Sequence, residues 1–393
     1  MKYVDEFRDG ERARRLTVAI RNEIRDDRSY RFMEFCGGHT HAVFRYGVPD
    51  LLPANIDLIH GPGCPVCVLP VGRLDMAVRL ATEHPEVILC SYGDMLRVPG
   101  SGGESLFKAR AKGADVRMVY SVSDALELAR ANPDREVVFF AIGFETTTPP
   151  TALGIQTARR EGLKNFSVFC NHVLTPAAMG AILNVDPNSE DRVDIDGFIG
   201  PSHVSVVIGS DAYRFCAAQH RKPVVIAGFE PLDVLQSLLM LVRQINEGRA
   251  DIENQYRRAV TPSGNSRAQA VVADVFQRRD SFEWRGLGEI PASALALAHT
   301  YREFDAERRF DMQYIPSHGT KSCECPAVLR GAKKPTDCKL FARVCTPENP
   351  LGSCMVSDEG ACAAYYTYGR FREPAERGVP TQATKIPASA INA

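Results

Sequence analysis

Short, nearly unbroken apolar runs alternate along most of this chain with longer segments whose apolar residues return at helical spacing. The runs cover residues 30–35, 56–59, 87–92, 116–120, 137–142, 166–171, 197–199 and 224–227. They are rich in Val, Ile and Phe and lack the polar alternation of a half-exposed strand. That pattern predicts strands buried on both faces, and so parallel sheets covered by helices. The periodic segments predict those helices over residues 106–112, 121–131, 151–160, 176–183 and 211–220, with Ser121 or Ser123 as an N-cap. A longer amphipathic helix is predicted over 4–24, with Val4, Phe7, Leu16, Val18, Ile20 and Ile24 as core contacts. Leu235, Leu238, Leu239 and Val242 mark the apolar face of another helix over 232–248, and 267–277 is one more. Residues 280–291 read as a loop holding the single tryptophan, Trp284. The expected fold is α/β. Two Rossmann-like parallel-sheet domains, 1–120 and 121–240, precede a C-terminal domain, 241–393, built of loops and helices.

Composition narrows the function classes. A length of 393 residues leaves room for two or three domains. The net charge of −1 offers no basic excess for nucleic acid or an anionic membrane. Residues 1–15 are heavily charged and lack the apolar stretch of a signal peptide, and no run approaches the ~18 apolar residues of a membrane span. Twelve cysteines, many of them clustered, then predict metal or redox chemistry in the cytoplasm, with reduced thiols as the resting state.

Candidate chemistry gathers where the strands are predicted to end. Cys36-Gly37-Gly38-His39-Thr40-His41 packs a thiol, two imidazoles and two glycines into six residues, read as a loop after the first strand. Thiolate and imidazole suit iron, zinc and copper, and glycines let a bulky ligand come close. His60-Gly61-Pro62-Gly63-Cys64-Pro65-Val66-Cys67 follows the second strand. Its C-x-x-C spacing lets two sulfurs meet on one metal or close a redox disulfide, and a helix starting near Pro65 would favour a Cys64 thiolate. Cys90 lies inside a strand and reads as core. Glu145, His172, His203 and Glu230 are expected at strand C-terminal ends along one sheet edge, where α/β proteins assemble their sites. The glycine-rich residues 99–105 are not a G-x-x-x-x-G-K-[ST] loop, and no such motif occurs. Toward the end, Cys323, Cys325, Cys338, Cys345, Cys354 and Cys362 fall among prolines and glycines. A loop-rich segment dense in thiolates suits a [4Fe–4S] cluster or structural zinc, and the irregular spacing favours the cluster.

These motifs, together with the closing Glu359-Gly360-Ala361-Cys362-Ala363-Ala364, resemble in order the HypD family of [NiFe]-hydrogenase maturation factors, over about residues 3 to 370. The resemblance implies a scaffold on which the Fe(CN)2CO group is assembled. It implies a small partner, HypC, whose N-terminal cysteine also binds the iron, and a HypE–HypF pair that delivers cyanide. Cys36, Cys64 and Cys67 become iron-handling thiols, and Cys325, Cys338, Cys345 and Cys362 ligands of a [4Fe–4S] cluster. Cys323 and Cys354 depart from the pattern, and either could replace a neighbour. On this reading Cys36 holds the iron, and His39 and His41 orient ligands or move protons. Cys64 and Cys67 cycle between dithiol and disulfide with electrons from the cluster, and Glu145 and Thr146 line the same cleft. Two other classes share these cysteines. One is an iron–sulfur thiol–disulfide oxidoreductase that needs no iron at Cys36. The other is a zinc protein, with Cys36, His39, Cys64 and Cys67 as one site and the C-terminal cysteines as a second.

Overall fold

A computed structural model describes residues 5–186, 188–189 and 191–369. Strands appear at the apolar runs. In chain order they are β1 (Tyr30–Glu34), β2 (Ile56–His60), β3 (Val87–Ser91), β4 (Val116–Met118), β5 (Glu136–Gly143), β6 (Phe166–His172), β7 (Gly197–Gly200) and β8 (Val224–Ile226), joined by an additional short β9 (Ile252–Asn254). They form two wholly parallel sheets, one ordered β2-β1-β7-β8-β9 and the other β4-β3-β5-β6. The α/β architecture with a loop- and helix-rich C-terminal region is the expected one.

The course of the chain between the sheets differs from the expected partition. β1 and β2 pair with β7–β9, while β3–β6 build the other sheet. The chain therefore leaves the first sheet after β2 and returns to it at β7, and the expected boundaries at 120 and 240 do not coincide with the sheets. An apolar run announces a strand but not its partner, because parallel neighbours meet only after a crossover.

The N-terminal helix is Gly10–Glu23, shorter than 4–24, because the Asp9 carboxylate caps it by accepting from the amides of Glu11 and Arg12. Ile20 is fully buried, whereas Phe7, Leu16, Val18 and Ile24 are half-buried; Val4 lies outside the described residues. This helix packs on Pro231–Asn246, whose Leu235, Leu238, Leu239 and Val242 all face the core. Ser202–Ile208 forms a helix that the pattern did not announce. Residues 280–291 are not an open loop but a hairpin of β11 (Ser281–Trp284) and β12 (Gly288–Pro291), flanked by the pair β10 (Phe276–Arg278) and β13 (Leu295–Leu297). Trp284 is wholly buried there and donates its indole N–H to Ser293 Oγ at 2.9 Å.

One core runs from Met33 and Ile59 of the first sheet, through Cys64 and Cys67, to Phe140 and Phe169 of the second and on to Cys325 and Cys354. The cysteine motifs thus lie where the two sheets and the C-terminal region meet. Arg73, 3% exposed, ties these parts together. It donates to both Glu307 carboxylate oxygens at 2.9 and 2.6 Å, to Asn171 Oδ1 at 2.5 Å and to the Cys170 carbonyl at 3.1 Å, and Arg279 also donates to Glu307. Among the described residues no helix is long and apolar enough to cross a membrane.

Candidate functional site

Cys36 follows β1 and is the N-cap of the helix Gly37–Arg45, so the first motif is a helix start rather than a loop. Its glycines are there for close packing. A Cβ on Gly37 would lie 2.5 Å from Glu359 Cβ, and one on Gly38 would lie 2.5 Å from the Phe229 ring. The second motif is bonded directly to the first. Gly37 N donates to Gly63 O and Gly61 N to Glu34 O, both at 2.9 Å, and a Cβ on Gly63 would collide with the Cys36 amide nitrogen. Gly63→Ala must therefore push the two motifs apart. It is expected to lower stability by about 1–3 kcal/mol, the cost of overpacking, as read from denaturant unfolding. A variant as stable as the parent would show that the loop yields freely.

Beneath Cys36 lies a carboxylate that the sequence reading passed over. Glu34 is 1% exposed, at the end of an otherwise apolar strand. It accepts from Cys36 N at 3.1 Å, from His60 Nδ1 at 2.8 Å and from the Thr40 hydroxyl. A charged residue inside the run Phe32, Met33, Phe35 was the available signal, since a buried carboxylate needs such partners. His60 packs against the rings of Phe44 and Tyr365, which also meet each other at 4.1 Å. Glu359 faces solvent on one side, yet the surrounding protein, Asp94 and Glu34 push its carboxyl up. Half-buried Cys36 responds in kind: burial first, then Glu359 and Glu34, raise its thiol well above the ordinary range. Acidic surroundings that disfavour a bare thiolate favour a bound cation, which would itself deprotonate the sulfur.

Cys64 caps the short helix Pro65–Val68, and its sulfur accepts from Cys67 N at 3.2 Å. Cys64 and Cys67 are joined in a disulfide and are 3% and 0% exposed, so the pair is in its oxidised form and Cys36 is the free thiol of the three. Across from them Cys323, Cys325, Cys338, Cys345, Cys354 and Cys362 line a single cavity closed by Val328, Leu340, Phe341 and Met355. Cys325 Sγ lies 2.7 Å from Cys354 Sγ, and hydrogen bonds from Cys323 and Cys354 pull the Cys325 thiol down. A Cβ on Gly352 would collide with Cys323 Sγ, so glycine is what admits that sulfur. Six soft donors around one apolar cavity fit a [4Fe–4S] cluster, which takes one thiolate per iron. Among the described residues no three Cys, His, Asp or Glu side chains converge as ligands of one metal ion.

The other candidate residues are dispersed. His39 is fully buried, its Nε2 bonded to the carbonyls of Ala227 and Gly228 at 3.2 and 3.1 Å and its ring 4.9 Å from that of Phe229. Burial lowers its pKa to about 4, so the ring is neutral and donates to those carbonyls. With Cys64 and Cys67 joined, two donors of the supposed zinc site are already taken, while the Nδ1 of His39 is buried without a hydrogen-bond partner. His41 is half-buried and edge-on to Tyr368 at 5.3 Å. Glu145 accepts from Thr175 N and Oγ1 at 2.9 Å each, and burial raises its pKa to about 7. It lines a separate, mostly apolar cavity of about 610 Å³ that does not include Cys36, and Thr146 is half-buried next to it. Glu145 and His172 follow strands of one sheet, whereas His203 and Glu230 follow strands of the other, so the four do not share an edge. Glu230 is paired with Arg8. His172 is buried between Thr147 and Thr151.

Residues 11–369 match the HypD family model, described as the hydrogenase formation hypA family. The chain is similar to the hydrogenase maturation factor HypD of Azotobacter vinelandii, 67% identical over 373 residues that cover 95% of this chain and 98% of the relative. The protein of the same name from Cupriavidus necator is 62% identical over 375 residues, 95% and 98% of the two chains. That of Escherichia coli is 48% identical over 373 residues, 94% and 98%.

Proposed function

The chain belongs to the HypD family, and from that premise we propose that it is the scaffold on which the Fe(CN)2CO group of [NiFe] hydrogenases is assembled. The observation that carries this reading is the bonding of the two motifs through Gly37 and Gly63. It sets one free, half-buried thiol among carboxylates beside a closed disulfide. Cys36 holds the iron cargo, since low-spin iron with cyanide and carbonyl ligands favours a soft thiolate. Cys36 is only half-buried, which leaves room for the HypC cysteine, and cyanide arrives from the HypE–HypF pair. Glu34 fixes the Cys36 backbone from below, the supporting role that outer partners play at metal sites.

The short contact between Cys325 and Cys354 in the C-terminal cavity supports Cys323, Cys338, Cys345 and Cys362 as the four cluster ligands of this reading. In this reading Cys323 replaces its neighbour Cys325, the substitution that the resemblance left open. A [4Fe–4S] cluster held there supplies electrons one at a time. The chain's own contribution is to keep the Cys64–Cys67 pair dry and against that cavity. A general thiol–disulfide oxidoreductase needs a disulfide that a substrate protein can reach, and sulfurs 3% and 0% exposed do not offer one.

Complementation tests the proposal. In a strain lacking its own HypD-family protein, this chain is expected to restore [NiFe]-hydrogenase activity. Cys64→Ser, which leaves Cys36 in place but cannot close the disulfide, is expected to restore little or none. Full activity from Cys64→Ser would remove the redox role of the pair.

A further inference from the structure

Ser353 is wholly buried between two pairs of cysteines, the Cys64–Cys67 disulfide and the free Cys325 and Cys354. Its hydroxyl donates to the Cys67 carbonyl at 3.0 Å and lies 3.5 Å from Cys325 Sγ, which is itself 2.7 Å from Cys354 Sγ. Its own carbonyl is 4.0 Å from Cys67 Sγ. The turn that carries it, Ser353–Met355, packs on the helix Pro65–Val68. A serine hydroxyl has one proton to give and two lone pairs to receive. While the proton is given to Cys67 O, Ser353 can only accept at Cys325. If the proton turns to Cys325, a buried carbonyl next to the disulfide loses its donor, which is costly in a dry core. The hydroxyl therefore meets both pairs at once only while Cys325 is the donor to it, so a change at Cys325 alters the bond to Cys67 O.

Resting on the redox reading above, we propose that Ser353 is a positioning residue that couples the Cys64–Cys67 pair to the Cys325–Cys354 pair. The hydroxyl holds the Cys67 turn in the arrangement seen with the disulfide closed, and its 3.5 Å contact with Cys325 Sγ ties that arrangement to the Cys325–Cys354 pair. Coupling of this kind is reciprocal, so a change at either pair is felt at the other. Opening the Cys64–Cys67 disulfide takes two electrons and two protons, yielding two thiols. In the test below they come from dithiothreitol, which is oxidised to its cyclic disulfide.

The full chain, purified without oxygen, is equilibrated in buffers of graded reduced and oxidised dithiothreitol. The state of Cys64 and Cys67 is then read by alkylation and peptide mass spectrometry. Ser353→Ala is expected to favour the open pair by roughly 10-fold in the exchange equilibrium, about 30 mV for a two-electron couple. Ser353→Thr keeps the hydroxyl and is expected to stay near the parent value. Cys354→Ala should shift the equilibrium when Ser353 is present and not in the Ser353→Ala background. An unshifted Ser353→Ala overturns the proposal, as does a Cys354→Ala shift of equal size in both backgrounds. If Ser353→Thr fails to fold, the Cys354→Ala comparison decides. Infrared bands of iron-bound CO and cyanide report separately on the scaffold. Bands present with an unshifted thiol equilibrium sink the coupling alone, and bands absent sink the reading beneath it.

Discussion

Cys36→Ala is expected to abolish hydrogenase maturation while leaving the fold intact. The residue is half-buried at a helix start, and its side chain is not part of the strand core, so alanine creates little cavity. What is lost is the only thiol of the first two motifs that is not in the disulfide. Mutating even an outer partner of a metal site costs about 10–100-fold, so removal of the ligand itself should take maturation down by roughly 100-fold or more. Hydrogenase activity in complemented cells, set beside the thermal unfolding of the purified variant, separates the two effects. A variant that folds and matures hydrogenase at the parent rate would place the iron elsewhere.

The largest expected loss of stability comes from Arg73→Ala. The guanidinium sits on Glu307 with two hydrogen bonds, holds Asn171 and the Cys170 carbonyl, and lies 4.5 Å from the centre of the Phe169 ring. Breaking a buried pair from one side leaves the other charge uncompensated, at a cost of about 3–5 kcal/mol. Arg279 stays on Glu307, which sets the expectation toward the lower end. The sign of the pH dependence follows from Glu307. Burial opposes its ionisation, but Arg73 and Arg279 prevail and hold its carboxyl below the usual value. The contribution is therefore full above about pH 5 and is lost as pH falls through the depressed value. Urea unfolding at neutral pH should show the deficit, and acid should narrow the gap between variant and parent. A neutral-pH difference under about 1 kcal/mol would mean that Glu307 and Asn171 find other partners.

Much of this architecture could be read from the chain because its signals are local. The runs at 87–92, 137–142 and 166–171 are apolar on both faces, and only a strand inside a covered parallel sheet uses such a run. Cys64 before Pro65 announces a capped helical turn in four residues, and the structure has it. Pairing is not local. Nothing in residues 30–34 says that β1 will lie between β2 and β7, the latter more than 150 residues further along, because the crossover hides the partner. The hairpin at Trp284 has strands of only four residues, which leaves Phe282, Glu283 and Trp284 as the whole of the alternation that could signal it. In the site the cysteines were visible by residue type, whereas Glu34 and Ser353 act only through what they touch. Glu34 looked like one polar position in a strand, and Ser353 like one of several loop serines. Glu145 and His39 show the reverse. Their motifs drew attention, yet one lines another cavity and the other is a neutral donor to two carbonyls.

The scaffold reading stands or falls most directly on infrared spectroscopy. The protein is to be purified without oxygen, together with its HypC partner, and spectra recorded in the window between the ordinary protein bands. Bands of iron-bound CO and cyanide in the parent, and none in Cys36→Ala, are the predicted result. Their absence from the parent, or their persistence in a folded Cys36→Ala, would contradict it.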